Sequence, residues 1–148
     1  MGYEVHITRK DTWFDNNPGK EITMAEWKEI VANDPDMRLD NYAEATTTSG
    51  DTISVVSEGL SVWTKYSGNG VDSNYAWFSH SHGCIVVKNP DDEIMRKMFA
   101  IANTCNAKLQ GDEGEVYELT PNYEIRFKFM EEGSIKEIGS KKPWWKFW

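Results

Sequence analysis

The stretch Cys84-Ile-Val-Val-Lys88, followed by Asn89-Pro-Asp-Asp-Glu-Ile-Met-Arg-Lys-Met-Phe-Ala-Ile-Ala-Asn-Thr-Cys105, decides the fold class. Its first part is a short apolar run that is typical of a strand. In the second part, Asn89 is predicted to cap a helix, Pro90 suits the first helical position, and three acids complement the helix dipole. Apolar residues then recur at Ile94, Met98, Ile101 and Cys105. This wide stripe predicts a helix that lies across a sheet.

Upstream, the sequence predicts a first helix and further short strands. Thr23 and Glu26 form a capping-box pattern before a helix that presents Met24, Trp27, Ile30 and Val31 on one face. The segment 36–42 is predicted to be an irregular connection. Two apolar runs, 52–57 and 60–66, are separated by Glu58-Gly59, which predicts a hairpin. Tyr3–Arg9 alternates apolar and polar residues, so it is predicted to be a half-buried strand.

Downstream, the segments 108–110 and 115–119 flank a charged turn, and 123–129 alternates like a last strand. The sequence thus predicts a single α+β domain over residues 3–130, a mainly antiparallel sheet of about six short strands with two helices on one face. A linker is predicted over 131–140, and a basic, aromatic tail over 141–148.

Charge is unevenly distributed along the chain. The 148 residues carry a net charge of −8, and residues 138–148 hold three lysines and no acid, so residues 1–137 carry −11. Nucleic-acid binding needs basic surfaces that release counterions, so we expect no nucleic-acid partner. An acidic body instead favours solubility and attraction to a basic partner.

Composition also indicates a compartment. No stretch approaches about 18 consecutive apolar residues, and the first residues lack the pattern of a secretory signal. Two cysteines, Cys84 and Cys105, are too few for a disulfide framework. We therefore expect a cytoplasmic protein.

Several segments resemble a group of small, largely uncharacterised bacterial proteins. They are Tyr3-Glu-Val-His-Ile-Thr-Arg9 with Trp13, Met24-Ala-Glu-Trp27 running to Asp34-Pro-Asp36, Lys88-Asn-Pro-Asp91, and Ala107-Lys-Leu-Gln-Gly-Asp-Glu-Gly-Glu-Val-Tyr117. The resemblance covers most of residues 3–117. It implies a compact bacterial cytoplasmic protein and assigns no catalytic residues.

One candidate catalytic set lies on the first strand. His6-Ile-Thr8 matches half of the H-x-T pair of two-histidine phosphoesterases, in which two such elements supply an acid and a base. A second copy is missing, so the sequence favours a solvent-facing or hydrogen-bonded histidine. A small hydrolase or phosphoesterase built on His6, Thr8 and Arg9, with His80 or His82, remains the alternative function.

One candidate metal set lies in the segment His80-Ser-His-Gly-Cys84. His80, His82 and Cys84 share a face if the strand is continuous, and zinc accepts imidazole and thiolate ligands. Gly83 is predicted to start a turn that separates them. The acids at 112–115 lack the alternation of a calcium loop and favour a charged hairpin tip. We therefore expect no cofactor.

The C-terminal tail carries the most unusual surface chemistry. It holds aromatic and basic residues next to one another: Trp144, Trp145, Phe147, Trp148, Lys141, Lys142 and Lys146. Rings in this number are costly to leave in water. Three surfaces could bury these rings: the protein's own sheet, a pocket on another protein, or a membrane surface where the lysines contact anionic lipid.

We therefore expect a non-enzymatic, acidic protein-interaction module of a bacterial cytoplasm. The tail, or an aromatic face of Trp63, Trp77 and Phe78, would supply buried contact with a basic or aromatic-accepting partner. An immunity or toxin-neutralising protein is one concrete version. A peripheral membrane protein is the third hypothesis.

Overall fold

The computed structural model describes residues 3–70, 75–131 and 134–137. Two α-helices and eleven strands are formed there. The helices are α1 (Met24–Ala32) and α2 (Asp92–Thr104). The strands are β1 (Glu4–Thr8), β2 (Met37–Leu39), β3 (Tyr42–Thr46), β4 (Thr52–Val56), β5 (Ser61–Trp63), β6 (Trp77–Ser81), β7 (Cys84–Lys88), β8 (Lys108–Gly111), β9 (Val116–Leu119), β10 (Ile125–Glu131) and β11 (Ser134–Glu137).

The predicted α+β class is confirmed, with more strands than expected. Within the described residues, one antiparallel sheet has the order β11-β10-β9-β8-β1-β7-β6-β5-β2, and β3 pairs with β4 in a separate two-stranded ribbon. Strand β11 lies within the range 131–140 that the sequence predicts as a linker. No helix in the described part of the chain is long and apolar enough to cross a membrane.

Both helices pack on one face of the sheet, which we call the helix face. In β1, Val5 and Ile7 lie on this face, where they join apolar residues of α1 and α2 in one buried core. Trp27 of α1 is fully buried, and its ring lies 6.4 Å from that of Phe78 in β6. The other face of the sheet, which we call the opposite face, carries His6 of β1.

The capping box of α1 is confirmed. The Thr23 side chain accepts the backbone N–H of Glu26 at 3.1 Å, and the Glu26 carboxylate accepts the backbone N–H of Thr23 at 3.2 Å. Each bond satisfies a donor that the first helical turn leaves free. The local sequence therefore determines where α1 begins.

The cap of α2 lies two residues later than predicted. Asp91 caps the helix, because its side chain accepts the backbone N–H of Ile94 at 2.8 Å. Asn89 has a φ of 50° and exchanges two hydrogen bonds with Tyr3: its backbone N–H donates to the Tyr3 carbonyl, and its Oδ1 accepts from the Tyr3 N–H. Asn89 thus fastens the end of β7 to β1.

The predicted hairpin between 52–57 and 60–66 is wrong. Strand β4 pairs with β3, whereas β5 pairs with β2 and β6, and the segment 36–42 that was predicted to be irregular contains β2. The chain leaves and re-enters the sheet at two residues of positive φ, Asn41 and Gly59. The Asn41 Oδ1 accepts the Gly59 N–H at 2.9 Å, and both Asp40 and Asn41 donate to the Leu60 carbonyl. These bonds close the base of the ribbon.

Candidate functional site

The centre of the opposite face is covered, and of the two predicted environments for His6, solvent-facing or hydrogen-bonded, the structure shows the second: Nδ1 lies 3.3 Å from the Gln110 carbonyl. His6 is only 2% exposed, because the ring of Trp13 stacks on it with ring centroids 4.0 Å apart and planes 9° apart. Strand β1 is central, with β7 on one side and β8 on the other, and the segment after it folds back over this face. The alternation of apolar and polar residues in 3–9 predicted the strand correctly, but it did not predict that Trp13 would bury the polar face of that strand.

Gln110 of β8 holds the Trp13 segment in place. Its Oε1 accepts the Trp13 backbone N–H at 2.7 Å, and its Nε2 donates to the Gly114 carbonyl at 3.1 Å. The Cys84 thiol donates to the Trp13 carbonyl. The indole Nε1 of Trp13 is buried and has no hydrogen-bond partner among the described residues. Burying a donor of this kind without a partner is costly.

Three possible metal ligands, one of them His6, meet on the opposite face. The ligand atoms of Glu4, His6 and Asp112 all lie within 4.8 Å of one another. His6 Nε2 is 3.9 Å from Glu4 Oε1, and Asp112 Oδ2 accepts the Glu4 backbone N–H at 3.0 Å. Burial lowers the pKa of His6, while a hydrogen bond with the Gln110 carbonyl and the two carboxylates act in the raising direction. These side chains can hold a divalent cation.

A cavity of about 260 Å³ adjoins this cluster. Polar groups line much of it, and the hydroxyl of Ser81 lies 2.9 Å from Nδ1 of His82. The residues that line it include Glu4, His6, Trp13, Ser79, Ser81 and His82. Two of the chain's three histidines therefore share one cavity, which sequence spacing did not reveal.

The candidate catalytic residues do not converge. Thr8 lies on the same face as His6, but it is fully buried, and its hydroxyl accepts the Lys10 backbone N–H at 3.0 Å. Arg9 is held at the helix face, where it donates to Glu26 Oε1 at 2.6 Å and to the Glu21 carbonyl at 2.8 Å. Thr8 and Arg9 are thus both bound within the fold, away from the cavity that His6 lines.

The candidate metal ligands His80, His82 and Cys84 are not brought together either. His82 and Gly83 both have positive φ, so the strand turns between β6 and β7. His80 lies on the helix face, where its Nε2 is 2.6 Å from the Ile22 carbonyl. Among the described residues, the cluster that could hold an ion is instead that of Glu4, His6 and Asp112.

The three aromatic residues that the sequence suggested as one contact face, Trp63, Trp77 and Phe78, lie in different environments. Phe78 is completely buried in the core. Trp63 is half-buried, stacks near Tyr66 with ring centroids 5.9 Å apart, and lies 5.9 Å below the ammonium group of Lys97. Trp77 contacts Tyr75 at a ring-centroid distance of 5.6 Å. The tail residues 141–148 lie outside the described residues.

A second candidate surface is the β3–β4 ribbon. Every residue of β4 is exposed, including three large apolar ones: Ile53 at 52%, Val55 at 59% and Val56 at 82%. Tyr42, at the start of β3 and paired with Val56, is also exposed. The run of β-branched residues predicted a strand but gave no sign that the strand would leave the sheet.

No family model matches the chain, and no match was found among curated proteins or solved structures. The resemblance to small bacterial proteins therefore stays a prediction.

Proposed function

We propose that this chain is a non-enzymatic protein-interaction module that binds a basic partner protein, and that the β3–β4 ribbon is its contact surface. The exposure of Ile53, Val55 and Val56 carries the proposal. Ile53 and Val55 lie two positions apart on β4 and share one face of the ribbon, Val56 lies on the other face, and all three stay mostly exposed in the chain's own fold. A partner that covers them gains free energy from their burial.

The charge around the ribbon supports a basic partner. Residues 40–58 include four acids and no lysine, arginine or histidine; Asp40 pairs with Arg38 and Glu58 with Lys28, which leaves Glu44 and Asp51 as the source of net negative charge. The whole chain carries −8. Opposite charges on two proteins speed their encounter and exclude partners of the wrong sign. A basic toxin domain, neutralised by an acidic immunity protein in a bacterial cytoplasm, is one partner of this class.

The backbone of the ribbon supports the same proposal. In the described part of the chain, β3 and β4 pair only with each other, so each strand has an edge that is not used in the sheet. Such an edge can accept a strand from another protein, with main-chain hydrogen bonds giving affinity. The tail 141–148 is proposed as a second contact.

The proposal is tested by replacing Ile53 with lysine, with Tyr123→Lys as the matched control. Tyr123 is 68% exposed and lies between β9 and β10, towards the opposite edge of the sheet from β2. Both variants change the charge by +1, but only Ile53→Lys places a positive charge in the proposed interface. Partners captured by the wild type from the source organism are identified, purified and titrated calorimetrically against each variant.

We expect Ile53→Lys to weaken binding by at least tenfold and Tyr123→Lys to leave it within about twofold. The affinity should fall as salt is raised from 50 to 300 mM, because exposed charges are screened. Equal effects of the two substitutions would contradict the ribbon as the interface. A chain ending at residue 140 measures the contribution of the tail, and vesicles of anionic lipid with both chain lengths test the membrane alternative.

One observation favours the hydrolase alternative: His6 and His82 line the same cavity. Two imidazoles in one cleft can act as acid and base. The His82→Asn variant tests it, with nitrophenyl phosphodiesters as substrates. Turnover by the wild type that is lost in the variant would support an enzyme. The absence of turnover in both would remove the alternative for this substrate class.

A further inference from the structure

We propose that Glu4, His6 and Asp112 form a binding site for a divalent transition-metal ion of the Zn²⁺ type. The three side chains come from two elements, the first and third residues of β1 and the turn after β8, and their ligand atoms lie within 4.8 Å of one another. Two ligands of one Zn²⁺ ion are about 3.3 Å apart, given metal–ligand distances of about 2.0–2.2 Å. Small rotations of the two carboxylates are therefore enough to bind an ion.

The histidine is presented in the way that metal sites require. His6 Nδ1 lies 3.3 Å from the Gln110 carbonyl, so Nδ1 carries the proton and Nε2 offers its lone pair. Nε2 makes no hydrogen bond with any described residue, although the side chain is only 3% exposed, and its nearest charged neighbour is the Glu4 carboxylate. The Nε2 lone pair and the Glu4 carboxylate can therefore bind the same cation.

Two of the three ligands, Asp112 and His6, are also held in place by contacts that do not involve their metal-binding partners' ligand atoms. Asp112 Oδ2 accepts the Glu4 backbone N–H, which fixes the turn against the start of β1. Trp13 stacks on the His6 ring and prevents its rotation. Outer contacts of this kind orient ligands and strengthen metal binding. The site thus rests on the central strand of the sheet, which favours a preorganised geometry.

The ligand set indicates the class of ion. One imidazole nitrogen and two carboxylate oxygens suit Zn²⁺ and its neighbours better than Mg²⁺ or Ca²⁺, which bind mostly through oxygen. Three protein ligands leave a coordination position open. The adjoining cavity of about 260 Å³ has room there for a water molecule or a small oxygen-donor ligand. This proposal does not depend on the ribbon.

The test measures Zn²⁺ binding by calorimetry to untagged protein, because a histidine tag would itself bind the ion. Glu4→Gln and Asp112→Asn remove one ligand charge each, and the amide oxygen introduced by Asp112→Asn can still accept the Glu4 N–H. The matched control is Glu113→Gln, which removes the same charge from an exposed residue of the same turn. We expect one ion per wild-type chain and the same affinity for the control. Each ligand variant should bind at least tenfold more weakly.

A second readout identifies the histidine. The chain has three imidazoles, so their ¹⁵N signals can be assigned individually by substituting His80 and His82. Zn²⁺ should shift Nε2 of His6 and leave Nδ1 protonated. Binding with the same affinity in all variants, a shift at His80 or His82 instead, or no binding below millimolar Zn²⁺ would each overturn the proposal.

Discussion

Replacing both exposed valines of β4 with threonine should separate binding from folding. Threonine has nearly the shape of valine and a similar strand preference, so the ribbon should keep its backbone. Val55 and Val56 are 59% and 82% exposed, so most of the surface of each residue stays in water after folding. We therefore expect the Val55→Thr/Val56→Thr variant to change the free energy of unfolding by no more than about 0.5 kcal/mol.

Binding should respond much more strongly. A hydroxyl that is buried without a hydrogen-bond partner costs about 1–3 kcal/mol in proteins. Val55 and Val56 point to opposite faces of β4, so a partner on one face covers one of them. When the cost is scaled by the exposed fraction of that residue, it is about 0.6–2.5 kcal/mol. This corresponds to a roughly 3- to 70-fold weaker Kd.

The assay combines urea unfolding with calorimetric titration of the purified partner. A matched control is Val5→Thr, because Val5 is completely buried in β1. It should lose stability by about 1–3 kcal/mol yet bind normally under conditions where it is folded. The reasoning would be refuted if the ribbon variant bound within twofold of the wild type, or if it lost as much stability as Val5→Thr.

Three further substitutions test the fold around the two proposed sites. Burial raises the pKa of Glu115 above its ordinary value of 4.5, so stability should fall as pH rises through the raised pKa; Glu115→Gln should flatten this part of the pH profile of urea unfolding. Trp27→Phe removes volume from the core and the 2.6 Å hydrogen bond to the Gly59 carbonyl, and should cost about 1–3 kcal/mol in the same assay. Thr23→Ala breaks the capping box of α1 and should lower the free energy of unfolding by about 0.5–2 kcal/mol, with a smaller loss for Thr23→Ser.

Local patterns predicted the local elements well. The capping box of α1 and the turn at His82-Gly83 depend on residues a few positions apart, so the sequence contains the whole interaction. The shift of the α2 cap from Asn89 to Asp91 follows from a distant contact, because Asn89 binds Tyr3 across 86 positions. Sequence order alone could not reveal that competition.

Pairing between distant strands was not predictable in the same way. The two runs at 52–57 and 60–66 resemble the paired strands of a hairpin. Hydrogen bonds of Asn41 with Gly59 and Leu60 instead close the β3–β4 ribbon, and β5 pairs with β2. The choice depends on an asparagine that tolerates positive φ and whose side chain reaches Gly59. The same limit applies to the metal cluster, since no sequence spacing relates Asp112 to β1.

The two proposed sites lie in parts of the fold with contrasting stability, and this agrees with their different tasks. Glu4 and His6 belong to a central strand whose backbone is paired on both sides, so their geometry exists before an ion arrives. The ribbon is a two-stranded element with exposed side chains on β4, and isolated ribbons of this kind are only marginally stable. Amide exchange should therefore be fast in β4 and slow in β1. A partner that binds the ribbon should slow exchange in β4 selectively, whereas Zn²⁺ should leave β4 unchanged and protect the turn that carries Asp112.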